Sequence, residues 1–382
     1  MKLFECQHCG QALYFESTHC DGCGRRLGYV PVKEIMAALE PAPENGVWQT
    51  AAVPHARYHF CENAEYQVCN WLIESDRPDV FCAACRHNRM IPDLSMPDNV
   101  THWQKIEVAK HRLFYTLLKL RLPLTTRSED PDGLAFDFLA PPATMQSSAP
   151  VVTGHSRGVI TINLAEADDS ERERQRSRMH EPYRTLLGQF RHEIAHYYWD
   201  HLVRDTENNE NFRDIFGDER QDYSAALQHH YSNGPPRDWP QHFVTAYASA
   251  HPWEDFAETW AHYFHMIDTL ETANVFDLRV RPKLRKSSEL AMVVDFDPHT
   301  AEMDRIIDAW LPLTFAVNSI NRSMGLSDLY PFVLQPSVIV KLAFVHERTH
   351  AHQGAARRSN QGNTFRAIIA GLKRKVGMPG PA

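Results

Sequence analysis

The residues with the clearest chemistry are His192-Glu193-Ile194-Ala195-His196. Side chains four apart on a helix project from one side, one turn apart, so two neutral imidazoles at this spacing can hold one metal ion. Zinc suits the pair, and Glu193 is then free to act as a base on water rather than to bind the metal. A third protein ligand is still needed, leaving a fourth position open. Downstream, His251-Pro252-Trp253-Glu254-Asp255-Phe256-Ala257-Glu258 supplies candidates. Glu254 and Glu258 lie four apart on one face. Glu254 is the candidate third ligand, and Glu258 the acceptor for a hydrogen bond from a ligating imidazole. The competing reading is two ordinary helix-surface glutamates. Neither His201, His229, His230 nor His251 is needed as a ligand. Asp200 reads as an exposed carboxylate near a helix end, with an outer-shell role as the alternative. The pattern occurs twice: His346-Glu347-Arg348-Thr349-His350 matches it too, but no acidic residue follows it. It reads as a partly exposed, non-catalytic helix end.

All eight cysteines lie before residue 86. Cys6-x2-Cys9 and Cys20-x2-Cys23 are each followed by a glycine, Gly10 and Gly24, as tight knuckle turns require. Four thiolates at this spacing predict a tetrahedral structural zinc. Disulfides or a redox pair are the competing readings. Cys61, Cys69, Cys82 and Cys85 form a second set, whose first pair is too widely spaced for a standard knuckle. A second structural zinc is expected there, against reduced, buried cysteines. His8, His19, His55, His59 and His87 are possible replacement ligands in either set.

These residues need elements to position them. Apolar residues from Trp103 to Leu120 recur at three- and four-residue steps and predict a helix over Val100–Leu120. Leu134–Leu139 and Val159–Leu164 read as strands, the second with an edge open to an extended peptide. Asp168–Arg178 is dense in both charge signs, a solvated helix start or loop. The helix bearing His192 and His196 is expected from Pro182, with Leu187, Phe190, Ile194 and Tyr197 or Tyr198 on its apolar face. A second helix over Tyr247–Phe264, marked by Pro252, carries Glu254. Thr300–Leu311 and Val338–His350 read as further helices, and Pro41–Gly46 as a linker or turn.

The chain has 382 residues, with 43% hydrophobic and 23% charged, as expected of a globular core plus a smaller module. A net charge of -8 argues against chain-wide binding to nucleic acid or an anionic membrane. The N-terminus lacks the apolar core of a secretory signal, and no stretch approaches the roughly 18 apolar residues of a membrane span. A cytoplasmic protein is expected, where paired cysteines bind metal rather than form disulfides.

His192-Glu193-x-x-His196 with Glu254-x-x-x-Glu258 resembles the gluzincin pattern, and Glu254-Asp-Phe-Ala-Glu258 is similar to that of the lethal-factor-type metallopeptidases. That resemblance implies Glu254 as a zinc ligand, Glu258 as its support, and Tyr247, seven residues before Glu254, as an oxyanion-stabilising residue beside Glu193. More broadly the chain resembles the bacterial zinc-binding metallopeptidases with an N-terminal zinc ribbon. The resemblance rests on both cysteine sets, Arg191–Asp200 and His251–Ala261. It implies an α+β, zincin-like fold; the cysteine asymmetry divides the chain into a ribbon module over 1–95 and a peptidase domain over 96–352, and the Arg-, Lys- and Gly-rich stretch 353–382 reads as a basic, flexible tail outside the resemblance. One catalytic and one or two structural zinc ions are expected, with a peptide or protein substrate. Two other classes compete. One is a non-catalytic zinc-ribbon protein that contacts a protein partner or, less in keeping with the acidic chain, nucleic acid through Arg25, Arg26, Arg86 and Arg89. The other is a zinc hydrolase of non-peptide amides.

Overall fold

The computed structural model describes residues 3–140, 151–179, 181, 183–283 and 290–351. Pro182, expected to start a helix, and the basic tail over 353–382 lie outside them. The chain divides into two compact units: Met1–Lys119 with Pro123–Tyr197, and Leu120–Leu122 with Tyr198–Ala382. Helix and sheet are both present, the α+β character expected.

The first unit begins with short antiparallel pairings. Phe4–Glu5 pairs with Ala12–Leu13, and Leu27–Val30 with Ile35–Ala38. Gly10 and Gly24 sit at φ 74° and 72°, where a side chain is disfavoured. Each donates its N–H to the carbonyl of the first cysteine of its pair, Cys6 and Cys20, closing the knuckle. Glu40–Pro41 pairs with Trp48–Gln49 across the turn expected at Pro41–Gly46. Val30, Ala37, Leu39, Tyr58 and Leu72 form a small apolar cluster.

Helix α1 spans Asn99–Lys119, within a residue of expectation at each end. It buries Trp103, Ile106, Leu113, Phe114 and Leu117. Its Tyr115 packs edge-on against Phe15 of the ribbon. A mixed sheet follows from β1 (Asn88–Met90), β2 (Ala135–Leu139), β3 (Gly154–Ser156) and β4 (Val159–Asn163), in the order β3-β4-β2-β1. β4 pairs parallel to β2 and antiparallel to β3. The expectation of an open edge at Val159–Leu164 is therefore corrected: β4 is internal, and the edge strands are β3 and β1. The hairpin glycines mark a strand too short to read as a period. Gly158 is required there, at φ 78°, since a Cβ would lie 2.2 Å from the Asp132 carbonyl oxygen. Asp169–Met179 is a full helix, not a loop.

Helix α2 spans Leu186–Leu202 and starts later than Pro182. Phe190 packs on Phe136 and Phe138, which share one face of β2.

The second unit is mainly helical. α3 (Tyr223–Asn233) is capped by Asp222, whose side chain accepts the Ala225 N–H. α4 (Pro252–Val275) is buried almost all round, which is why its sequence is apolar beyond a single stripe. α5 spans Met303–Ser323 and α6 Pro336–His350; α5 runs a dozen residues past its expected end, through Pro312. Phe212, Phe216, Phe256 and Phe344 interlock at ring distances of 4.9–6.5 Å. Among the described residues, no helix is long and apolar enough to cross a membrane.

Candidate metal centres

Both cysteine sets converge. Cys6, Cys9, Cys20 and Cys23 bring their sulfurs within 4.8 Å of one another, and so do Cys61, Cys69, Cys82 and Cys85. A tetrahedral zinc with Zn–S bonds of about 2.3 Å places its sulfurs about 3.8 Å apart. Cys6–Cys23 and Cys69–Cys82 are each at 3.8 Å, and Cys9–Cys20 at 3.5 Å. Both sets fit the ion, and the eight cysteines form no disulfide. The wide Cys61–Cys69 spacing is taken up by a 3-10 turn over Glu62–Tyr66, which returns the chain through Gln67 at φ 59°.

None of the five histidines weighed as replacement ligands joins either set. His87 illustrates why: its Nδ1–H donates to the Leu134 carbonyl at 3.0 Å, its ring packs on Phe114, and burial pulls its pKa down to about 4. The imidazole that does approach is His111, on α1. Its Nε2 lies 3.3 Å from Cys69 Sγ and 3.7 Å from Cys85 Sγ. Beside it, Glu107 and Lys110 form an ion pair at 2.8 Å with both side chains fully buried. Sequence reading missed this group because it sits outside the cysteine module. The legible signal is three polar residues, Glu107, Lys110 and His111, among the buried positions of an apolar helix.

On α2, His192 and His196 stand one turn apart, their rings 5.1 Å apart and nearly perpendicular. His196 and Glu193 are buried, and His192 is half-buried. His155, from edge strand β3, lies roughly parallel to the His196 ring at 6.1 Å. Gly158 donates its N–H to His155 Nε2 at 3.0 Å, so in the neutral ring the proton is on Nδ1. Asp200 is neither exposed nor isolated, since it pairs with Arg204.

In the second unit, α4 starts at Pro252 because His251 breaks the helix with φ -160° and ψ 149°, its Nδ1 accepting the Trp253 N–H. That start agrees with Pro252 as its expected marker, and Tyr247 lies ahead of it on a separate 3-10 turn, Tyr247–Ala250. Its ring faces His230 at 5.9 Å. Glu254 sits in the first turn of α4 and is 1% exposed. The Tyr223 hydroxyl donates to its Oε1 at 2.5 Å. Glu258, one turn on, accepts from Thr245 Oγ1 at 2.8 Å. Neither carboxylate is the ordinary surface glutamate that formed the competing reading.

The second HExxH copy is buried rather than partly exposed at His346. His346 Nδ1 is 3.0 Å from the Tyr263 hydroxyl, and burial pushes its pKa down to about 3. Both His350 nitrogens face backbone carbonyls, those of His346 and His299. These imidazoles are engaged in packing α6.

Residues 99–348 match the family model described as "Putative zinc-binding metallo-peptidase", and residues 3–96 match a zinc-ribbon domain. Uncharacterized proteins of Mycobacterium tuberculosis (strain H37Rv) and Mycobacterium bovis are each 41% identical over 357 residues, covering 91% of this chain and 94% of their own. No solved structure matches the chain.

Proposed function

The chain belongs to this family of zinc-binding metallopeptidases with an N-terminal zinc ribbon, and on that premise we propose that it hydrolyses peptide bonds at a zinc ion held by His192, His196 and Glu254. The observation that carries the reading is on α2, where two imidazoles share one helix face with a buried glutamate directly after the first. Support from α4 is chemical: a carboxylate kept from water and oriented by one phenol is a ready cation ligand.

A zinc ion there supplies Lewis acidity and a water whose pKa falls toward about 7. Glu193 is the residue that would take a proton from the attacking water and pass it to the departing amine. The Tyr247 phenol donates to the carbonyl oxygen as charge builds on it. Glu258 accepts a hydrogen bond from a ligand imidazole and so orients the ring. β3, one of the sheet's two edge strands and the bearer of His155, would pair with an extended substrate. The gluzincin assignment rests on Glu254 as third ligand.

Glu193→Gln is expected to keep its full zinc content while peptide hydrolysis falls by about 10²–10⁴-fold. Glu254→Ala should lose one zinc per chain and leave the thiolate-bound ions in place. Hydrolysis at the unmodified rate in Glu193→Gln would refute the base.

A further inference from the structure

The sheet has two faces, and the proposed chemistry uses one of them. His155 pairs with Ile160 and Ile160 with Phe136, which packs on Phe190 of α2, so these residues share the face turned to the HExxH helix. Gly154 pairs with Thr161 and Ser156 with Val159, and these four share the opposite face. An open groove of about 460 Å³ runs past Gly154, Ser156 and Thr161. Arg89, Arg127 and Arg157 line it, and no acidic residue does. The three arginines are not equivalent. Arg89 is paired with the buried Asp137, which cancels its charge. Arg127 donates to the Arg157 carbonyl oxygen at 2.6 Å, a contact that leaves its charge uncompensated. Among the described residues, neither Arg127 nor Arg157 has a carboxylate partner. The Glu129 carboxylate, on the same loop as Arg127, is taken up by the N–H and hydroxyl of Thr126. The floor is bare at Gly154, where a Cβ would meet nothing within 4 Å.

We propose that this groove is a specificity subsite for acidic side chains, so that peptides with Asp or Glu at alternate positions are the preferred substrates. An extended peptide added to β3 alternates its side chains across the sheet. One set then projects to the face of α2, and the other to the arginine groove. The inference deepens the reading of β3 as the strand that pairs with substrate, and rests on it. Guanidinium groups suit carboxylates because their planar fork offers parallel N–H donors. The net charge of -8 repels an acidic peptide at long range, so capture falls to the local cations, Arg127 and Arg157.

The experiment separates binding from cleavage by using the full-length Glu193→Gln chain. Fluorescence anisotropy is read with labelled decapeptides of alternating Ala-Glu, Ala-Gln and Ala-Lys. The Ala-Glu peptide is expected to bind about 10-fold more tightly than Ala-Gln. Arg127→Gln with Arg157→Gln should erase that difference, and Lys at both positions should keep most of it. Gly154→Glu sets a carboxylate in the open floor and should turn the preference toward Ala-Lys, with Gly154→Gln as the control for size. Equal binding of Ala-Glu and Ala-Gln overturns the proposal, and so does a preference that survives the double arginine variant. Peptide binding without discrimination, beside salt-sensitive binding of a thymidine oligonucleotide that the double variant loses, also overturns it and makes the groove a nucleic-acid contact. Wild type incubated with a mixed peptide library, its products read by mass spectrometry, tests the peptidase reading separately. No cleavage there, together with arginine-dependent binding of Ala-Glu, refutes the peptidase and upholds the acidic groove.

Discussion

Tyr223 donates its phenolic proton to Glu254 over 2.5 Å, from a helix 31 residues upstream. A carboxylate oxygen so engaged leaves its partner oxygen directed elsewhere, which is how an outer hydroxyl fixes a ligand's angle. Tyr223→Phe removes that hydroxyl and little volume. It is expected to weaken zinc at the proposed catalytic site by about 10-fold or more, with both cysteine sites unaffected, as read by competition with a chelator. Neither Tyr223 nor His155 was visible as a site residue in the sequence. A lone tyrosine in a polar helix and a lone histidine in a glycine-punctuated turn carry no spacing signal, whereas Glu254 and Glu258 do. Asp200 shows the reverse: its position one turn after His196 suggested a role that its pairing with Arg204 explains more simply.

At the scale of elements, α4 is tied to α6 by one buried ion pair, Asp255 with Lys341 at 2.6 Å. Burial pushes the Asp255 carboxyl up to about 7, against the pull of Lys341. In the unfolded chain it titrates near about 3.9. The folded chain therefore holds this proton more tightly, and the group's contribution to stability declines as the pH climbs from about 4 to about 7. Above that range the charged carboxylate depends on Lys341. Lys341→Met is accordingly expected to cost about 3–5 kcal/mol at pH 8 and distinctly less at pH 5, with Asp255→Asn in the same chain recovering most of it. Thermal unfolding at the two pH values measures this, and an equal loss at both would contradict the account. Periodicity found α1, α2 and α6 to within a few residues because each carries apolar residues at three- and four-residue steps. The start of α2 and the long extension of α5 escaped it: Pro182 is a favourable first-turn residue but not an obligatory one, and Pro312 sits inside a helix that packing sustains.

For the whole molecule, the metal content joins these parts. About three zinc ions per chain are expected, one lost on His192→Ala and one on serine substitution of either cysteine set, measured by elemental analysis of the purified chain. A content of two that ignores His192→Ala would remove the catalytic ion and keep the ribbon. The sequence by itself determined the donors: cysteines three apart, followed by glycine in the first set, histidines four apart, and glutamates four apart are local geometry, set by the turn of a knuckle or a helix. Tertiary structure decided what surrounds those donors. His111 reaches Cys69 across 42 residues of chain, Tyr223 reaches Glu254 across 31, and a three-residue strand, not the longer one beside it, forms a sheet edge. Such contacts, and the placing of the short strand β3 outside the longer β4, depend on which elements pack together, and packing follows buried shape and complementary hydrogen bonding, which residue spacing along the chain does not record. The feature most legible at the start, His192-Glu193-x-x-His196, was duplicated at His346-Glu347-x-x-His350. The lack of a following acidic residue set the second copy apart in the sequence, and the structure adds that His346 and His350 are engaged in the packing of α6.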